Sequence, residues 1–166
     1  MHQLVNGSIA GLAATVPMSA AMAALHRLLP EQERYPLPPR EVTVRVADRV
    51  GAEELTDTEP GRQGATWVSH FGYGAASGAA YGALAKAIPL GPVAGGVLWG
   101  LAVWAGSYLG WLPAMGIRAS ATRQPPRREA LMIAAHVVFG AATGLAYDVL
   151  RRRSGPAPDD MIGAGI

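Results

Sequence analysis

The chain has 166 residues, a length that suits one domain, and half of them are apolar while only 16% are charged. A net charge of +2 is too small to argue for a nucleic-acid partner. The absence of cysteine excludes disulfides, thiolate chemistry and Cys-ligated zinc or iron–sulfur centres.

The charges are unevenly placed. Leu4 to Leu25, Ala65 to Ala85, Ala87 to Ile117 and Ala130 to Tyr147 carry no charged side chain. Each reaches the ~18 residues that mark a candidate membrane span. These stretches predict an all-α membrane protein with four transmembrane helices in a single domain, 1–153, followed by a disordered tail, 154–166.

The first span is expected over about 4–29. No basic region precedes it and three spans follow, so it reads as a retained helix and not a cleaved signal peptide. Pro17 near its middle frees a backbone carbonyl, and Thr15 and Ser19 are nearby hydroxyls that could compensate.

Residues 30–64 form a long hydrophilic loop, Pro-rich through Tyr35-Pro36-Leu37-Pro38-Pro39. From Arg40 to Gly51, Val42, Val46 and Val50 repeat every four residues, which gives a helix with one apolar stripe. Val42, Val44 and Val46 also alternate, as in a strand. Helix is favoured because Ala47 and Val50 extend the stripe, Pro39 suits the first helical turn and Gly51 makes a stop. Such an amphipathic helix lies in the bilayer interface, caps the bundle, or is a solvated connector.

The second span is expected over about 67–88. Pro89-Leu90-Gly91-Pro92 then turns the chain into a third span, about 94–115. A short arginine-bearing loop, 118–128, leads to the fourth, about 129–150, which Arg151-Arg152-Arg153 closes. Asp148 is placed to pair with Arg151 and Arg152 at i+3 and i+4. Trp67, Trp99 and Trp111 fall near span ends, at headgroup level, whereas Trp104 lies deeper as packing.

The strongest signal is an internal duplication. His70-Phe-Gly-Tyr-Gly-Ala-Ala-Ser-Gly-Ala-Ala-Tyr-Gly-Ala-Leu84 aligns without gaps on His136-Val-Val-Phe-Gly-Ala-Ala-Thr-Gly-Leu-Ala-Tyr-Asp-Val-Leu150, with eight of fifteen positions identical. Gly7-Ser-Ile-Ala-Gly11-Leu-Ala13 resembles Gly96-Val-Leu-Trp-Gly100-Leu-Ala102 more weakly. The unit is therefore span, loop, span, used twice, with a pseudo-two-fold axis along the membrane normal. On that reading matching residues of the second and fourth spans sit at matching depth.

His70, Gly74, Gly78 and Tyr81 share one helix face, as do His136, Gly140, Gly144 and Tyr147. The glycines form small-xxx-small ridges that let helices approach closely, and Gly7, Gly11, Gly96 and Gly100 offer the same on the other two spans. A histidine inside a span is a candidate site with a partner to be named, and the natural partner here is the repeat mate. Three readings stand side by side. The imidazoles lock helices by bonding a carbonyl, each other, or hydroxyls such as Thr66 and Ser69. Alternatively, His70, His136, Tyr81 and Tyr147 line a polar or proton-conducting site. Thirdly, the two histidines ligate haem or a metal, with haem fitting only if the glycines cradle the porphyrin. No catalytic set, metal-binding helix motif or phosphate-binding glycine loop is present, so the chain does not read as an enzyme and no cofactor is predicted.

Loops 30–64 and 117–128, with Arg27, carry ten of the 14 basic residues. Counting Lys and Arg favours those loops in the cytoplasm, but the long loop also carries acids and the triple arginine flanks the opposite side, so orientation stays open. Of the basic residues only Lys86 is lysine, which with the high Ala, Gly and Pro content suggests a GC-rich bacterial genome.

The chain resembles the YagU-like small inner-membrane proteins of bacteria over roughly residues 5–153. The resemblance rests on Gly-Leu-Ala-Ala-Thr-Val-Pro-Met (11–18), Leu-Pro-Pro-Arg (37–40), the His70 and His136 spans and the Arg-rich end after Asp148. It implies a multi-pass protein of the bacterial inner membrane with no assigned chemistry. Two functions follow as expectations. One is a non-enzymatic protein that works by helix packing in the lipid bilayer, as a homo-oligomer or an accessory subunit of a larger membrane complex. The other is a small transporter or ligand-binding bundle using the His/Tyr faces.

Overall fold

A computed structural model describes residues 2–154. Apart from Ser154, the expected tail lies outside the described residues. Among those described the chain is helical throughout, with no strand. Helix α1 spans His2–His26, α2 Pro38–Val50 and α3 Glu59–Leu84. Helix α4 runs over Pro92–Ala114 and α5 over Pro126–Arg153. Three of these, α1, α4 and α5, are long and apolar enough to cross a membrane; α3 is long enough but less apolar.

Element ends follow the local chemistry. The prolines of α2 occupy its first two positions, where a missing N–H costs nothing, and Gly51 stops it in the left-handed region at φ 71°. The helical alternative for 40–51 is the one adopted. Helix α3 begins eight residues before the expected span because Thr58 accepts a bond from the Gly61 N–H (3.2 Å), with Pro60 just inside. Helix α4 contains a wider π-helical turn at Gly106–Trp111, where Gly110 leaves helical dihedrals.

Pro17 lies inside a continuous α1. The expected compensation is not found. The carbonyl that Pro17 leaves free is that of Ala13, yet Thr15 bonds Gly11 O (2.9 Å) and Ser19 bonds Thr15 O (2.8 Å). Each hydroxyl takes the carbonyl one turn back on its own face.

Helices α1 and α5 pack along their length at the centre of the bundle, with α3 against the outside of α1 and α4 against the outside of α5. Ala14, Met18 and Met22 of α1 and Leu131, Met132, Ala135 and Phe139 of α5 share the main core. Helices α3 and α4, joined by only seven residues, barely approach each other.

The glycines account for both outer pairs. A Cβ added at Gly7 or Gly11 would collide with the Gly78 or Gly74 carbonyl, and one at Gly96 or Gly100 with the Gly140 or His136 carbonyl. In each pair nothing but hydrogen separates the two backbones. The ladders of α3 and α5 therefore face α1 and α4 and not each other. The two pairs are also out of register. Gly7 meets Gly78, whereas Gly96, aligned with Gly7 in sequence, meets Gly140, which aligns with Gly74. That is a slide of four residues, about 6 Å at 1.5 Å per residue, of α1 against α3 relative to α4 against α5; the repeat mates of α3 and α5 themselves still lie at a like level, with Tyr81 and Tyr147 in ring contact at 5.5 Å.

The loop side is tied down by arginine. Arg128, 2% exposed, donates to Glu33 O (2.5 Å), Tyr35 O (3.0 Å) and Pro36 O (2.9 Å), and stacks 3.6 Å from the Tyr35 ring. Arg34 caps the free carbonyls after α1, bonding Leu29 O (2.7 Å) and Arg27 O (3.0 Å). On α2, Glu41, Arg45 and Arg49 form one row. Glu41 pairs with Arg118, Arg45 bonds Ile117 O (3.0 Å) and Arg49 bonds Met115 O. At the far end Asp148 pairs with Arg151 and Arg152, both at 2.7 Å.

Candidate functional site

The gap between α3 and α4 is a cavity of about 450 Å³. Its walls are almost wholly apolar, and five helices contribute. Val42 and Val46 of α2 close it from the loop side, Val103 and Leu112 come from α4, and Met132 and Phe139 from α5. The valine stripe legible at 42–50 is thus turned onto this cavity, and Thr43 fastens α2 to α3 through Ser69 (2.5 Å).

The seam is spanned by long side chains where the outer pairs use bare backbone. Tyr73 Oη lies 2.9 Å from Ser107 Oγ, and Trp99 Nε1 donates to Ser77 Oγ (3.1 Å). The Tyr81 ring stands 6.1 Å from Trp99, and Tyr73 6.4 Å from Trp111. Trp99 is partly buried against Tyr81 at one end of the bundle, where its large side chain bridges helices that glycine has drawn elsewhere.

Both histidines line this cavity. His136 is buried beside the α4–α5 crossing. Its Nδ1 lies 2.7 Å from Met132 O and so carries the proton, which leaves Nε2 as an acceptor. Its ring meets Tyr108 edge-on at 5.8 Å. His70 has a buried Nε2 with no hydrogen-bond partner. The two imidazoles are not bonded to each other, and neither Thr66 nor Ser69 bonds His70. Thr66 bonds Arg62 O (2.7 Å), and Ser69 is occupied by Thr43. The one-turn slide explains the difference between the mates: it puts the His136 backbone at a glycine crossing and leaves His70 facing the void.

Tyr81 and Tyr147 do not join the histidines. They pack edge-on at 5.5 Å at the other end of the bundle, where Tyr147 donates to Gly82 O (3.2 Å). The glycines, pressed on neighbouring backbones, are not available to cradle a porphyrin. Among the described residues no three His, Asp or Glu side chains gather as a metal site.

Sequence reasoning missed the α4 contribution, Ser107 and Tyr108, which carries no pattern of its own. It also missed a buried polar cluster behind it. Arg118, 3% exposed, pairs with Glu41 and lies 5.9 Å over the Tyr108 ring. Its Nε and Nη2 are buried without hydrogen-bond partners, and the buried Glu129 carboxylate beside it faces the Trp104 indole N–H.

No curated protein and no solved structure matches the chain. A family model described as "Protein of unknown function (DUF1440)" matches residues 31–145, from the loop after α1 to well inside α5, and the chain belongs to that family.

Proposed function

We propose that this is a four-span protein of the bacterial inner membrane, akin to the YagU-like proteins, that binds an apolar molecule between α3 and α4. The observation that carries the reading is the cavity: about 450 Å³, apolar-walled and edged by two imidazoles, a volume in the range of small-molecule sites.

The fourth span is α3. From Ala65 to Leu84 it has no charged side chain, and 20 residues cover about 30 Å, the thickness of the hydrocarbon core. Its lower hydropathy comes largely from Gly, Ser and His; His70 and Ser77 line the cavity and Gly74, Gly78 and Gly82 press on α1, so these need not match lipid. The tandem repeat is supported by the like composition of the α1–α3 and α4–α5 glycine seams. One seam is slid by a turn against the other, which keeps the halves from closing symmetrically and leaves α3 and α4 apart.

The test is native mass spectrometry of delipidated protein titrated with dioctanoylglycerol, an uncharged two-chain probe. One molecule should bind per chain, and Val103→Trp, which fills the cavity, should abolish binding without lowering the melting temperature. Equal binding by the Val103→Trp variant would refute the assignment.

A second reading, an accessory subunit that works by packing alone, draws on the outward row Val5, Ile9, Leu12 and Val16 of α1, about half exposed and suited to lipid or another helix. A chain of that kind binds no diacylglycerol, so the same titration separates the two.

A further inference from the structure

On the loop side, next to the α2–α4 seam, lies a second hollow of about 440 Å³ that differs chemically from the first. It is lined by Arg45, Arg118 and Arg123, with Ser120, Thr122 and the backbone at Gly116. Gly116, at φ 63°, turns the chain sharply after α4, and the buried Ile117 pins that turn. The segment to Arg123 thereby folds back beside α2.

Its charges do not balance. Arg45 (3.3 Å) and Arg118 share the single carboxylate of Glu41, and Arg123 makes no ion pair among the described residues. Glu129 and Arg128 approach Arg118 from α5. The neighbourhood thus holds four guanidinium groups against two carboxylates, and Arg128 is committed to backbone carbonyls. Two donors of Arg118 are buried with no partner, but Glu129 lies in the same cluster as an acceptor for them, so the guanidiniums open to an added anion are those of Arg45 and Arg123. The Ser120 and Thr122 hydroxyls, 3.2 Å apart, add donors at the rim. Forked guanidiniums with hydroxyls are the donor set that recognises phosphate oxygens.

The hollow and the apolar cavity flank the same seam. Val42 and Val46 of α2 face the cavity while Arg45 faces the hollow, and Leu112 of α4 faces the cavity while Pro113 faces the hollow. We propose that the two are one site for an anionic glycerophospholipid. Its chains enter between α3 and α4, and its phosphodiester is held by Arg45 and Arg123. The proposal rests on the cavity reading above and names its ligand class.

The experiment compares three probes on the full chain in neutral detergent: dioctanoyl phosphatidylglycerol, dioctanoylglycerol with the same chains and no phosphate, and inorganic phosphate. The phospholipid should bind at least about tenfold tighter than the diacylglycerol, a difference of about 1.4 kcal/mol. Arg123→Ala, at a side chain without an ion-pair partner, should bring the two affinities together, with unchanged melting as the fold control. Thermal stabilisation by inorganic phosphate that Arg123→Ala removes would support the anion site with free phosphate as its source. If that occurs while neither glycerolipid binds, the cavity reading fails and the anion site stands. Equal affinities for both glycerolipids, unmoved by Arg123→Ala and with phosphate inert, would overturn the proposal.

Discussion

The α1–α3 seam makes a prediction whose size can be worked from the coordinates. In Gly78→Ala the new methyl would lie 2.7 Å from both the amide nitrogen and the Cα of Gly11, and would overlap the Gly7 carbonyl. Carbon atoms rest at about 3.5–4.0 Å, so the helices must part by roughly 1 Å at their crossing. All the atoms met are backbone within regular helix, and no side chain can swing aside. Overpacking of this kind costs about 1–3 kcal/mol. For a chain of this length that lowers the melting temperature by about 2–12 °C. The control is Gly72→Ala on the same helix, where an added Cβ meets nothing within 4 Å; it should gain about 0.5–1 kcal/mol from helix propensity. Thermal unfolding followed by tryptophan fluorescence in detergent reads both. The reasoning fails if Gly78→Ala melts with or above the Gly72→Ala variant.

Two further outcomes test the loop side. Arg128→Ala removes the group that satisfies three carbonyls of the 33–36 segment and should cost on the order of 3 kcal/mol. Limited trypsin digestion should then cut after Arg34 faster than in the parent, and Arg128→Lys should not restore resistance because an ammonium lacks the planar fork; an unchanged digestion pattern would refute this. Arg40 holds the Glu59 carboxyl below its ordinary value of 4.5 through hydrogen bonds of 2.6 and 2.7 Å. A lowered folded-state value means that the pair stabilises fully above that ordinary value and loses its effect as pH falls through the lowered one. Arg40→Gln should flatten the acid limb of the stability–pH curve in that window, and more visibly at low salt; an acid limb as steep as the parent's would count against it.

Much of this architecture was legible before any coordinates. Helix is favoured for 40–51 because Ala47 and Val50 extend a stripe that a strand would break and Gly51 stops it; α2 turns Val42, Val46, Ala47 and Val50 onto the bundle and leaves Val44 off that face. The glycine faces of the second and fourth long helices were legible too, since Gly every fourth residue lines one side of a helix. Their partners were not. Equal motifs suggested that the mates meet each other, but a bare glycine backbone gains most against another bare backbone, and Gly7/Gly11 and Gly96/Gly100 supply it. The histidines were found from their spacing, and both edge one cavity. What separates them, one bonded to Met132 and one without a partner, arises from a slide between helices that no residue type announces. Arg118 was equally silent: its sequence neighbours are those of a solvent loop, and only the turn at Gly116 carries it inside.

A ladder whose rungs recur every four residues fits its partner at more than one setting. Here two such ladders occur in a single molecule, seated one notch apart. Because each notch offers backbone the same shallow trough, the travel between them exchanges one glycine contact for its twin. The repeat therefore does not by itself dictate a register; within one chain, two pairs of like composition have settled at different settings.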